Sequence, residues 1–143
     1  MELSIKNVSL AFVAGAVGGL MNSVCVWFFG AVGLTNALGV KIAPAFTAPW
    51  LYQRLVWGGL WGWLFLLPLA GLSFPVRGLI FSLGPSLATR FLVLPFQAHK
   101  GVLGLQLGAL TPVLVLFFNA VWGVAAGWWL SLVQDQQPGG RRT

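Results

Sequence analysis

The chain has 143 residues, of which 58% are hydrophobic and only 7% are charged. A soluble domain carries roughly a quarter charged residues, so this composition excludes an ordinary soluble globule and predicts a polytopic membrane protein. The net charge of +6 does not indicate nucleic-acid binding, because no soluble segment carries a basic stripe interleaved with aromatic residues, and we expect no nucleic-acid partner.

Four apolar stretches approach the ~20 residues that a transmembrane helix needs. They lie at residues 8–30, 50–72, 76–96 and 110–133. Their apolar runs are continuous and lack two-residue alternation, which favours helices over a β-barrel. We therefore predict an all-α fold with four transmembrane helices in a single membrane domain, residues 1–133, followed by a disordered tail, residues 134–143.

The first stretch is too long for a signal peptide, so we predict that it is retained as a span. Four spans put both termini on one side of the membrane. Lys6, Arg77 and the two tail arginines lie on that side. The loops on the other side carry Lys41 and Lys100. The positive-inside rule therefore predicts cytoplasmic termini, and the expected location is a bacterial-type inner or plasma membrane.

The pattern V-W-G-x-x-x-G-W occurs twice, at residues 56–63 and 121–128. With the same shift of 65 residues, nine of the 32 positions in 36–67 match 101–132. This predicts an internal duplication, with one repeat at about 8–72 and the other at about 76–133. Each repeat contains two spans, so the copies are expected to be parallel and related by an axis along the membrane normal.

A short apolar segment joins the two spans within each predicted repeat. Its uninterrupted part has about 12 residues, which is short for a span and typical of a re-entrant or interfacial segment. Both segments end in a threonine close to a proline, at Thr47 and Thr111. We expect each threonine to be the N-cap of the following helix.

Small residues recur at every fourth position of each span, which lets helices pack closely in lipid. The glycines predicted to pack helices are Gly15, Gly19, Gly58, Gly62, Gly78, Gly123 and Gly127. Each stripe of small residues ends in a polar group in the half of the membrane that faces the two connecting segments. The candidate ligand-binding residues in this layer are Asn22, Arg54, Ser86, Arg90 and Asn119.

Arg54 and Arg90 have no carboxylate within the spans to neutralise them. Guanidinium groups suit bidentate oxyanions, so one interpretation is a site for an anionic solute or a lipid headgroup. A second is that both side chains extend to the headgroups with incidental lipid contact, and a third is pairing with an acidic partner subunit. Pro85, in the middle of the third span, predicts either a structural kink or a broken helix of the kind that forms transporter sites.

No nucleophile elbow, phosphate loop or redox motif occurs in the sequence, and His99 has no cysteine or acid beside it. We therefore expect no catalytic residue, no metal site, no cofactor and no enzymatic activity. The functional hypothesis is binding or conduction of an anionic solute or lipid headgroup by a homo-oligomer in contact with membrane lipids. The alternative is a non-enzymatic structural or assembly subunit with a partner in a larger membrane complex.

Overall fold

The computed structural model describes residues 1–97, 99 and 102–136, and of residues 94, 95, 97, 102 and 103 it describes the backbone alone. Within these residues the fold is all-helical, as the continuous apolar stretches predict. Most of the predicted tail, together with Arg141, Arg142 and Lys100, lies outside the described residues. Helix α6 continues through Asp135, two residues into the segment predicted as a tail.

Six α-helices are joined by shorter helical turns. They are α1 (Ile5–Ala31), α2 (Leu34–Ala37), α3 (Ala48–Gly62), α4 (Phe74–Phe81), α5 (Leu83–Ala88) and α6 (Thr111–Asp135). A 3₁₀ turn, Trp63–Leu66, follows α3, a π-helix, Thr89–Gln97, follows α5, and a second 3₁₀ turn covers Val102–Leu107. Among the described residues, three helices are long and apolar enough to cross a membrane, namely Ile5–Ala31, Phe74–Val93 and Thr111–Asp135. The chain is therefore a membrane protein with three candidate spans.

The second predicted span is shorter than the sequence indicates. Its α-helix has 15 residues and gives way to the 3₁₀ turn after Gly62, whereas the prediction extended to residue 72. Leu67 is extended, with φ −69° and ψ 134°, because the ring of Pro68 disfavours a helical conformation in the preceding residue. With 15 residues, α3 falls short of the ~20 that an upright span requires.

The third span is interrupted where its proline predicts. The α-helix ends at Phe81 and resumes at Leu83, leaving Ser82 between α4 and α5. Pro85 has no N–H, so the carbonyl of Phe81 lacks its usual helical donor. The conversion to a π-helix from Thr89 is a further irregularity that the sequence pattern did not predict.

Helices α1 and α6 pack against each other, α3 packs on α1, and α4 packs on α6. The structure places all seven predicted glycines in these contacts. A Cβ added to Gly62 would lie 2.8 Å from the Cα of Gly15, and one added to Gly127 would lie 2.8 Å from the Cα of Pro75. A Cβ on Gly78 would overlap the backbone of Gly123. Both pairs of helices thus approach closely enough for their backbones to touch, as small residues permit in lipid.

The two connecting segments meet at one end of the bundle, which we call the loop end (residues 33–47 and 102–110). The backbone N–H of Lys41 donates to the carbonyl of Leu107 at 2.8 Å. Val40 is buried in a cluster with Val26, Leu114 and Phe118, so the first segment covers the end of α1 and α6. This arrangement sets the depth at which the polar residues of the spans lie.

Candidate functional site

The structure divides the predicted polar layer into two groups. Asn22 and Arg54 belong to the first group, on α1 and α3. Ser86 and Arg90 belong to the second, where the α5–π-helix segment meets α6. Asn119 is half-buried, and we find no side-chain hydrogen bond from it to another described residue. The five predicted residues therefore do not form one connected set of hydrogen bonds.

The first group is a connected set of hydrogen bonds that we call the Arg54 network (Asn22, Ser23 and Arg54). Arg54 donates from Nε to Ser23 Oγ at 2.9 Å and from Nη2 to Asn22 Oδ1. The amide of Asn22 donates to the carbonyl of Phe118 at 2.6 Å. The guanidinium also lies 4.9 Å from the ring centre of Trp50. These contacts join α3, α1 and α6.

Every buried polar side chain in the Arg54 network has a partner. The hydroxyl of Ser23 accepts from Arg54 and itself donates to the carbonyl of Gly19 at 2.6 Å. A fully bonded polar network in an apolar interior holds its elements in one arrangement. The network therefore links three helices by hydrogen bonds and leaves few hydrogen-bonding groups available to a ligand.

In the second group, by contrast, several buried polar atoms have no hydrogen-bond partner among the described residues. Arg90 donates from Nη2 to the carbonyl of Pro112 at 2.8 Å, but its Nε is buried and has no partner among the described residues. Within the part of the chain that the structure describes, the hydroxyls of Ser86 and Thr111 are also buried without a partner. These two residues are 1% and 0% exposed. We call this group the Arg90 corner (Ser86, Arg90 and Thr111).

Sequence spacing and one hydrogen bond relate the three residues of the Arg90 corner to one another. Ser86 and Arg90 are four residues apart on one helical segment, which places them near the same face. Thr111 directly precedes Pro112, whose carbonyl receives the hydrogen bond from Arg90. The corner thus lies at the N-terminus of α6, where the first backbone N–H groups carry a partial positive charge.

The predicted cap role is confirmed for Thr47 but is wrong for Thr111. Thr47 Oγ1 accepts from the backbone N–H of Trp50 at 3.4 Å, as an N-cap does. Helix α6 instead begins one residue earlier than expected, with Leu110 as its N-cap. Thr111 is therefore inside the first turn, and its hydroxyl points into the protein with no backbone donor to accept from.

The charges of the chain leave the Arg90 corner without a nearby carboxylate. The chain has two acidic residues, Glu2 and Asp135. Asp135 ends α6, 24 residues after Thr111, which corresponds to about 36 Å along the helix at 1.5 Å per residue. Glu2 precedes α1, whose opposite end lies at the loop end. The corner therefore combines a cation, two free hydroxyls and a helix N-terminus, which together suit an oxyanion.

Comparison of the chain with family models, with curated proteins and with solved structures finds no match. The function is therefore inferred from the contacts of the side chains. Two contributors were missed as site residues by the sequence interpretation. Thr111 was predicted to be a helix cap, and Ser23 was not among the predicted ligand-binding residues. Each residue carries a hydroxyl, and this hydroxyl was the sequence feature that could have identified it as a site residue.

A third arginine, Arg77, is buried at the end of the bundle opposite the loop end. Arg77 donates from Nη2 to the carbonyls of Phe65 and Leu67, at 3.0 and 2.7 Å, and its guanidinium lies 5.0 Å from the ring centre of Phe74. It thereby satisfies carbonyls that the end of the 3₁₀ turn leaves free. Burial, and next the charge of Arg77, lower the pKa of the Met1 amino group. Arg77 thus joins the start of α4 to the end of the 3₁₀ turn that follows α3.

Proposed function

We propose that this chain is a small integral membrane protein that binds an oxyanion at the Arg90 corner. The oxyanion belongs either to a small solute, such as phosphate, or to a lipid headgroup. One observation carries the proposal, namely that Ser86 Oγ, Arg90 Nε and Thr111 Oγ1 are all buried and unpaired. Leaving one such group unsatisfied costs about 1–3 kcal/mol. A bound oxyanion would satisfy all three.

The proposal narrows the site that the sequence suggested. Arg54 and Asn22 already satisfy each other, so we assign them to holding α3, α1 and α6 in place. The contact between Arg90 and the carbonyl of Pro112 disfavours the interpretation that Arg90 extends to the headgroups, because an extended side chain would lose this bond. Arg90, with Ser86 and Thr111, is therefore the proposed binding group.

We further propose that α3 and its 3₁₀ turn form a fourth span, and that the four spans are two parallel repeats. Two glycines 65 residues apart, Gly39 and Gly104, both have a left-handed backbone, with φ of 72° and 69°. Gly58 and Gly123, at the same spacing, both lie where their helix meets the preceding span. In this arrangement both termini face the cytoplasm of a bacterial-type inner or plasma membrane, and the loop end faces outward.

Equilibrium binding to the purified protein tests the proposed function in two arms. The first arm measures binding of radiolabelled inorganic phosphate to delipidated protein. The second measures which lipids remain bound in nanodiscs that contain phosphatidylglycerol and phosphatidylcholine. Arg90→Gln should abolish binding in whichever arm the wild type binds. Arg54→Gln serves as a matched control and should retain that binding wherever it remains folded.

Three outcomes contradict the proposal. The first is a wild-type protein that binds in neither arm, and the second is Arg90→Gln binding as well as the wild type while folded. The third is Arg54→Gln losing binding to the same extent as Arg90→Gln while its fold is intact, because the two groups would then act together. Phosphate flux into liposomes, measured on the same variants, separates conduction from binding.

The alternative function, as an assembly subunit of a larger complex, predicts a different purification result. Extraction in a gentle detergent should yield a homo-oligomer if the proposed function is correct. A second protein at fixed stoichiometry, together with loss of the fold when that protein is removed, would favour the assembly role.

A further inference from the structure

An apolar groove lies between the α4–α5 segment and α6. It has a volume of about 530 Å³. Leu79 and Leu83 line it on one side, and Val113, Phe117 and Ala120 line it on the other. These leucine, valine and phenylalanine side chains are 45–60% exposed, so the groove is open to the surrounding lipid. Its wall is almost wholly apolar, and the hydroxyl of Ser82, which also lines it, donates to the carbonyl of Leu79 at 2.6 Å.

Ser86 and Thr111 do not line the groove, but each lies next to it in sequence on the side of the loop end. Ser86 follows Leu83 by three residues, and Thr111 precedes Val113 by two residues. The groove runs from Val113 to Ala120, seven residues or about 10 Å along α6 at 1.5 Å per residue. A ligand with an anionic head at the corner would therefore have its apolar part directed into the groove.

We infer that the ligand of the Arg90 corner is an anionic phospholipid, with its phosphate on Arg90, Ser86 and Thr111 and one acyl chain in the α4–α6 groove. This inference rests on the proposed function and names its ligand class. A free phosphate would use the corner and leave the groove without a role. The phosphate of a lipid fits the depth of the site, because the corner lies at the loop end of the helices, where the headgroup region is expected.

The charge of the corner favours a lipid with a net negative head over a zwitterionic one. Arg90 has no carboxylate near it, and the α6 N-terminus adds to the positive potential. The phosphate of phosphatidylcholine would bring a choline cation with it, whereas phosphatidylglycerol brings none. The structure therefore favours phosphatidylglycerol over phosphatidylcholine in a mixed bilayer.

A groove-filling variant tests this inference separately from the proposed function. Ala120→Trp places a large side chain in the groove, and Val24→Trp places the same side chain on an exposed position of α1 as a control. Native mass spectrometry from nanodiscs with equal amounts of the two lipids measures lipid retention, and equilibrium dialysis measures phosphate binding. Ala120→Trp should lose about tenfold or more of its phosphatidylglycerol retention and keep its phosphate binding. Val24→Trp should behave as the wild type in both measurements.

The outcomes are distinguishable. Undiminished phosphatidylglycerol retention in folded Ala120→Trp, or equal retention of both lipids by the wild type, overturns the lipid inference and leaves the proposed function standing. Unchanged binding in Arg90→Gln contradicts both. A measurement without variants covers the case in which Ala120→Trp does not fold. The wild type should bind dioctanoyl phosphatidylglycerol about tenfold more tightly than glycerol phosphate, and equal affinities overturn the inference.

Discussion

Two serines in equally buried positions are predicted to respond with opposite sign to the same substitution. Ser23 and Ser86 are 0% and 1% exposed, and each faces a neighbouring helix. The hydroxyl of Ser23 accepts from Arg54 Nε at 2.9 Å, whereas the hydroxyl of Ser86 has no partner. Replacement by alanine therefore removes a hydrogen bond in one case and an unsatisfied group in the other.

The magnitudes follow from the partners. A hydrogen bond to a charged group contributes about 1.5–3 kcal/mol, so Ser23→Ala should lower the free energy of unfolding by about this amount. Ser86→Ala removes a buried hydroxyl that costs about 1–3 kcal/mol when unpaired, so it should raise the free energy of unfolding of the ligand-free protein by about 1 kcal/mol. The two variants should differ by roughly 2–4 kcal/mol, which lies well outside the error of an unfolding measurement.

Reversible unfolding in mixed dodecyl maltoside and sodium dodecyl sulfate micelles, followed by tryptophan fluorescence, measures the difference. The protein must first be stripped of lipid and kept free of phosphate, because a bound oxyanion would stabilise the folded state of the wild type. A loss of stability in Ser86→Ala as large as that in Ser23→Ala would refute the reasoning. It would mean that the hydroxyl of Ser86 is bonded in the folded protein and is not free to bind an oxyanion.

Three further substitutions, two of them with a control variant, test the Arg54 network, the helix contacts and Arg77 by the same unfolding assay. Asn22→Ala removes bonds to Arg54 and to the Phe118 carbonyl and should cost about 2–3 kcal/mol, whereas Asn119→Ala should cost less than about 0.5; equal losses would contradict the assigned role of the network. Gly123→Leu should separate α4 from α6 and cost several kcal/mol, about 3 or more, while the exposed neighbour Val124→Leu should be neutral. Arg77→Met should lower the free energy of unfolding by about 1–3 kcal/mol, because it leaves two carbonyls without their donor. Unchanged stability would exclude a stabilising role for these two hydrogen bonds.

The sequence predicted the helices well and their ends less well. The apolar stretches at residues 8–30 and 110–133 correspond to α1 and α6, because length and composition suffice to recognise a membrane helix. The second span ended early, since apolar composition continued past Gly62 while Pro68 ended the helical backbone. The apolar composition of a segment indicates that it lies in lipid. It does not indicate where the helix ends, because a proline restricts the backbone of the residue before it.

The helix that each of the two arginine side chains contacts was not predictable from the positions of Arg54 and Arg90 in the sequence. Arg54 and Arg90 were expected in one layer, but Arg54 contacts α1 and Arg90 contacts α6. The spans are apolar on nearly all sides, so the hydrophobic pattern does not indicate which face of each helix is buried. Which stripe meets which neighbour depends on the packing of whole helices, and this is set by long-range contacts.

The repeated tryptophan motif likewise does not indicate which face of its helix is buried. Trp57 and Trp122 occupy matching positions, yet Trp57 is 55% exposed and Trp122 is 3% exposed. Trp122 lies in the contact between α1 and α6 and donates from Nε1 to the carbonyl of Gly15 at 2.9 Å. Helix α3 has no equivalent neighbour on that side, so the same residue faces outward. Identical motifs therefore have different environments in the two halves.

A crystal structure of the protein grown in a lipid mesophase that contains phosphatidylglycerol tests the central claim most directly. We predict electron density for a phosphate within hydrogen-bonding distance of Arg90 Nε and of the hydroxyls of Ser86 and Thr111. The account is contradicted if the guanidinium of Arg90 instead extends to the aqueous interface, with both hydroxyls donating to backbone carbonyls and no anion beside them.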